Sequence, residues 1–166
     1  MNIKTNFTTY SDEYIQEILE RTKVIAMVGL SANWNRPSYF AAKYLQRKGY
    51  KIIPINSKEY GKKILDEVVY ANLNDLKMKV DMVDIFRKQA AVKSIVDDAI
   101  SIGTKTIWMQ LGIVDIDAAK KAKTNNIDVI MDRCPKIEYA RLSGELGWGG
   151  INTLQITNKR RIIRRK

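Results

Sequence analysis

The apolar positions of this chain gather in short continuous runs, set apart by longer amphipathic stretches. "KVIAMVG", "KIIPIN", "VDMVDIF", "KTIWMQ" and "IDVIM" are runs of five to seven residues. Nearly unbroken runs of that length predict strands buried on both faces of a parallel sheet. The stretches between them carry helical spacing. "SDEYIQEILERT" opens on Ser11 as an N-cap and places Tyr14, Ile15, Ile18 and Leu19 on one face. "RPSYFAAKYLQRKGY" has Pro37 suited to a first turn and Gly49 to a C-terminal cap. "KQAAVKSIVDDAISIG" and "DIDAAKKAKTNN" read as two more helices. "GKKILDEVVYANLNDL" winds, with one short helical turn near Leu73 to Leu76.

Strands that alternate with helices build right-handed βαβ units. The expected architecture is therefore a doubly wound α/β fold, with a mainly parallel five-stranded sheet and helices on both faces. No repeat or low-complexity linker divides it. One domain is expected over residues 1–142, with an N-terminal helix at about 11–22. A glycine-rich arm and a basic tail, 143–166, follow it.

In such a sheet, ligands bind at the C-terminal ends of the strands, where the strand order reverses. The first strand normally borders that point. Here it opens into "VGLSANWNRPSYF", a polar loop before a helix. Gly29 permits a sharp turn. Free amides at the helix start and the positive end of its dipole favour an anion. Ser31, Ser38 and Arg36 can add hydrogen bonds, and Asn33 and Asn35 suit the turn. A well-capped βα turn with nothing bound has the same composition. A dinucleotide site would prefer Gly-x-Gly-x-x-Gly and an acid after the second strand. This loop has one glycine, and Asn56 stands in the place of the acid, which disfavours NAD. The lack of Gly-Lys-Ser/Thr disfavours a P-loop.

Composition narrows the chemistry. The chain has 166 residues, with 45% hydrophobic and 28% charged, as in an ordinary globular domain. No apolar stretch approaches the roughly 20 residues that span a bilayer, and residues 1–10 lack a signal-peptide layout, so a cytoplasmic protein is expected. Histidine is absent, which removes the usual general base and metal ligand. One cysteine, Cys134, excludes an intrachain disulfide and a multi-cysteine zinc site. The net charge is +11, and "NKRRIIRRK" at residues 158–166 carries six of those charges. That tail suits RNA, DNA or an anionic surface, but it has no aromatic residue to stack on a base and suits a solvated terminus better.

Several separated motifs carry a resemblance. "VIAMVGLSANWNRPSYFAAKYLQRKGYKIIPIN", "VDIFRK", "TIWMQLGI" and "VIMDRCPKIEYARL" resemble the stand-alone bacterial CoA-binding domain family. Its Rossmann-like fold is similar to the CoA-binding N-terminal domain of the succinyl-CoA synthetase alpha subunit. The resemblance covers about Thr22 to Leu142. It implies that coenzyme A or an acyl-CoA is the ligand. Its phosphates would lie on Gly29, Leu30 and Ser31, with Asn33, Arg36 and Ser38 nearby. Asn56 would serve the ribose or base, although Ser57 replaces the proline usual in that turn. Phe86 and Arg87 would lie against the ligand, and Trp108 to Gly112, with Gln110 among them, would border the pantetheine arm.

Each position also has an ordinary role. Phe86 and Trp108 suit a core, Arg87 suits an ion pair with Asp84 or Asp115, and Asn56 suits an Asx turn. Cys134 follows the fifth strand between Arg133 and Lys136, at an expected helix start. Such neighbours lower a thiol pKa, so a mixed disulfide with CoA is one reading and an inert packed thiol the other. No residue set supports catalysis, and the succinyl-CoA synthetase chemistry needs a histidine this chain lacks. A CoA-binding protein, as carrier, sensor or partner of another enzyme, leads the readings. A Cys134-dependent thiol or CoA-transferring enzyme and a tail-dependent nucleic-acid module follow it. A protein partner or homodimer is compatible with all three.

Overall fold

The computed structural model describes residues 8–144. Five helices and seven strands follow in chain order. They are α1 (Asp12–Arg21), β1 (Val24–Val28), α2 (Pro37–Arg47), β2 (Lys51–Ile55), β3 (Lys63–Ile64), β4 (Glu67–Val68), β5 (Met82–Ile85), α3 (Val92–Ser101), β6 (Thr106–Met109), α4 (Ile116–Thr124), β7 (Asp128–Ile130) and α5 (Pro135–Leu142).

The main sheet has the order β2-β1-β5-β6-β7, with every neighbouring pair parallel. The predicted α/β fold is thus the observed one, doubly wound and Rossmann-like. Alternate residues of each strand feed two cores. Ala26, Val28, Val83, Ile85, Ile107 and Met109 face α3 and α4. Ile25, Met27, Met82, Trp108 and Ile130 face α1, α2 and α5. Burial on both faces is why the strands read as unbroken apolar runs rather than as alternations. Pro54 is tolerated because β2 is the edge strand, so its missing amide costs no ladder bond on the β1 side.

Three local features differ from the sequence reading. The winding segment contains the small antiparallel pair β3–β4, turned by Leu65 and Asp66 at positive φ. Tyr70 then bridges to Ile55 and covers the outer edge of β2. The stretch read as a helix from Lys88 begins as a short 3-10 turn, and α3 proper starts at Val92.

Chain order along the sheet places the reversal between β1 and β5. β1 leads outward to β2 through α2, while β5 leads the opposite way to β6 through α3. The ends of β1 and β5, Gly29 and Phe86–Arg87, therefore border the crevice where such folds bind ligands. None of the described helices is long and apolar enough to cross a membrane.

Candidate functional site

Gly29 closes β1 at φ +93°, a conformation that L side chains rarely adopt. A Cβ there would lie 2.7 Å from the Phe86 carbonyl oxygen and 2.8 Å from Arg87 Cδ. Glycine is thus required because the loop after β5 closes on it. Its amide is spent on the Ile55 carbonyl at 2.8 Å, so it is not a free anion donor.

The loop beyond it is internally braced. Ser38 Oγ accepts from the Ser31 amide at 3.2 Å, Ser31 Oγ from the Asn33 amide at 3.1 Å, and Asn33 Oδ1 from the Asn35 amide at 2.9 Å. A serine that accepts still has its own proton to give, so Ser31, half-buried, keeps donor capacity toward a ligand. Ser38 is buried and Leu30 fully so; Leu30 contributes backbone only. Arg36 is exposed at the N-cap of α2, whose first turn has no side-chain cap. That leaves the positive end of the helix open.

Asn56 is held at both ends of its amide. Its Nδ2 donates to the Leu30 carbonyl at 3.0 Å, and its Oδ1 accepts from the Lys58 amide at 3.1 Å. It ties the loops after β1 and β2 together, and its second Nδ2 proton is left for a ligand in the crevice. Arg87 pairs with neither Asp84 nor Asp115 and has no ion-pair partner among the described residues. Its guanidinium remains available.

Two cavities flank this point. One, of about 210 Å³, lies on the α3 face and is lined by Gly29, Asn56, Ser57, Arg87, Ser94 and Asp98, among others. The other, of about 740 Å³, lies on the α2–α5 face; Phe40, Phe86, Arg87, Gln110, Cys134 and Ile137 are part of its wall. Arg87 lines both and joins them.

Beneath the larger cavity lies a buried polar pair. Asp84 is fully buried, and Gln110 Nε2 donates to its Oδ1 at 2.8 Å and its Oδ2 at 3.1 Å. Burial pushes the Asp84 carboxyl up to about 8, against the pull of Gln110 and the Ile85 amide. Asp84 is therefore largely protonated at neutral pH.

Two sequence expectations need correction. Trp108 is fully buried in the α1–α2–α5 core, with Nε1 donating to the Arg133 carbonyl at 2.9 Å. It supports the loop after β7 from below and does not border the crevice, because its strand position points it into the core. Cys134 does not have a lowered thiol pKa. Burial pushes it up, and nearby Asp84 adds to this, against the amides of Ile137 and Lys136 and the Lys136 charge. Arg133 turns away, toward the Thr8 carbonyl at 3.0 Å, so one of the two expected cations is missing.

Of the residues read from the sequence, Gly29, Asn56, Phe86, Arg87, Gln110 and Cys134 line the two cavities, and the Ser31–Ser38 loop runs alongside. Leu111 lies in the stretch Trp108 to Gly112 expected beside the pantetheine arm, whereas Phe40 and Ile137 were missed. Their signal was an apolar residue off the buried stripe of its helix. The basic tail and most of the glycine-rich arm, with the readings placed on them, lie outside the described residues.

The fold and the crevice define a protein of the doubly wound, Rossmann-like α/β type. The family profile described as a CoA binding domain matches residues 23–140, and the chain belongs to that family. It is similar to the uncharacterized protein YneT of Bacillus subtilis (strain 168), at 32% identity over 130 residues, 76% of this chain and 92% of the relative. Among solved structures it is similar to a hypothetical protein from Pyrococcus horikoshii, with 35% identity and TM-score 0.76, over 80% of this chain and 92% of that one. A Thermus thermophilus protein matches with 30% identity and TM-score 0.76, over 80% and 98%.

Proposed function

We propose that this protein binds coenzyme A across the β1–β5 crevice. Family membership supports the ligand class. The observation that carries the geometry is the Gly29–Arg87 junction between a small polar cavity and a larger apolar one. The adenosine part fits the smaller cavity, where Ser57, Ser94 and the Asp98 carboxylate suit ribose and amine hydrogen bonds. The diphosphate crosses at Gly29, facing the unpaired Arg87 and the uncapped start of α2. The pantetheine arm then runs into the larger cavity toward Gln110 and Cys134.

Such a protein would act as a carrier, a sensor or a partner of another enzyme. A Cys134-dependent enzyme is the weaker reading, because a buried thiol with a raised pKa has little thiolate at neutral pH. Titration calorimetry with CoA, NAD and ATP on the reduced protein tests the proposal. CoA is expected to bind and the other two to bind far more weakly. A folded protein that ignores CoA would overturn the reading.

A further inference from the structure

The larger cavity has more apolar wall than a free thiol needs. Phe40, Leu111 and Ile137 are 51%, 58% and 41% exposed, and all three line it, with Ala41 and Ile113 beside them. Leaving three large apolar side chains together in water is unfavourable by about 25 cal/mol per Å² of apolar surface. Its polar lining groups divide among three places, one of them Lys136 beside Ile137 in the first turn of α5. Asn35, Arg87 and Lys88 belong to the loops that border the diphosphate crossing. Gln110 belongs to the floor, and it is 6% exposed.

The Gln110 carboxamide is oriented from below. Asp84 holds its Nε2, and Oε1 has no partner among the described residues. That oxygen is not among the described buried atoms left without a partner, so it opens toward the cavity and can accept from a ligand there. Pantetheine ends in an amide N–H, two carbons and a sulfur. If that N–H reaches Gln110, whatever the sulfur carries continues along the apolar wall.

We propose that the preferred ligand is a CoA thioester whose acyl chain lies against Phe40, Leu111, Ile113 and Ile137, with Gln110 receiving the last pantetheine amide. The proposal rests on the CoA reading above and names the ligand class of the same site. A protein partner is a poorer occupant, because the wall continues inward from the diphosphate crossing, through Arg87, to a buried floor. An acyl chain tethered at that crossing needs no separate docking surface.

The test is calorimetry of CoA, acetyl-, butanoyl-, hexanoyl- and octanoyl-CoA against the full chain. Affinity is expected to rise along the series by up to about fourfold per added methylene, the worth of one fully buried CH₂. The binding heat capacity should become more negative with chain length. Ile137→Asn and Phe40→Ser, at exposed helix positions that tolerate polar residues, should flatten that rise. Gln110→Leu should weaken every member of the series by a similar factor. If CoA binds and its thioesters bind no more tightly, the acyl proposal falls and CoA binding stands. If no member binds to the folded protein, both fall.

Discussion

Asp81 and Asp84 stand three residues apart in "VDMVDIF", yet the fold treats them in opposite ways. Asp81 precedes β5 at the N-terminal edge of the sheet. Its carboxylate accepts from the Lys23 and Val24 amides, each at 3.1 Å, and faces Lys105 Nζ at 3.2 Å. Burial raises its pKa, but these three partners outweigh it, and the net position is below the usual carboxylate range. Asp84, near the C-terminal edge, has one side-chain partner and no cation, so burial prevails. The contrast extends along both edges. At the first, Arg21 pairs with Asp128 and donates to Thr106 Oγ1, and Tyr14 donates to Asp128 at 2.8 Å. At the second, Arg87 has no ion-pair partner among the described residues, and Phe40, Leu111 and Ile137 face solvent. The first edge has used most of its polar groups on itself, with Arg21 Nε buried and without a hydrogen-bond partner. The other holds them in reserve, as functional edges do.

Breaking the reserved edge should therefore cost binding, and the largest effect is expected at Gly29. In Gly29→Ala the new Cβ meets the Phe86 carbonyl at 2.7 Å, at a φ of +93°. The junction must open, so CoA affinity should fall by more than about 100-fold. Strain of this kind costs about 1–3 kcal/mol, visible as a fall in Tm of several degrees. Unchanged CoA affinity in a folded Gly29→Ala protein would place the ligand elsewhere. Arg87→Ala removes a cation with no partner among the described residues. A charge-assisted contact is worth about 1.5–3 kcal/mol, so affinity should drop about 10- to 100-fold with Tm nearly unchanged. A large Tm loss with intact binding would make Arg87 structural.

The opposite result is expected at the self-satisfied edge. Asp81→Ala orphans two backbone amides at the start of β1 and should cost about 1–3 kcal/mol of stability by denaturant titration. CoA affinity should stay within about twofold of wild type. The pH sign follows from the lowered pKa. The stabilisation from Asp81 is present above the unfolded carboxylate value and is lost as pH falls through the lower folded value. The variant should therefore lose its stability gap to wild type in acid. A binding defect as large as that of Arg87→Ala would erase the distinction between the edges.

The strands and helices were legible because each is locally consistent: the apolar runs state burial on both faces, and Ser11, Pro37 and Asp115 mark helix starts. The β3–β4 pair was not, since two-residue strands carry no period. The crevice was legible at Gly29 and Phe86–Arg87, because chain order alone puts the ends of β1 and β5 together. Which groups there are free was not legible. Asn56 has both ends of its amide tied, to Leu30 and Lys58, which leaves one of its two Nδ2 protons for a ligand. Trp108 follows the same strand as Gln110 toward the edge, but it is one turn of the pleat deeper and lies wholly in the core. Cys134 has cationic neighbours in sequence, and only the fold shows Arg133 pointing away.

Asp84 gives the finest test of the comparison. Its folded pKa, about 8, lies above the ordinary carboxylate value of 3.8. Between those values the folded state holds a proton that the unfolded state has lost, so the protein loses stability as pH rises through that window. Above about 8 the buried carboxyl ionises, and no further loss accrues from this group. Asn has the shape of the protonated acid and cannot ionise. Asp84→Asn should leave stability nearly unchanged at acid pH and exceed wild type increasingly from pH 5 to pH 8, by a few kcal/mol at most. Thermal melts of both proteins across that range read the effect directly. Parallel curves would mean that Asp84 is solvated or paired like Asp81, and that the two edges of the sheet differ less than their hydrogen bonds indicate. A diverging pair would show that the ligand edge carries a buried acid at a cost to stability, as a group kept for orienting Gln110 would.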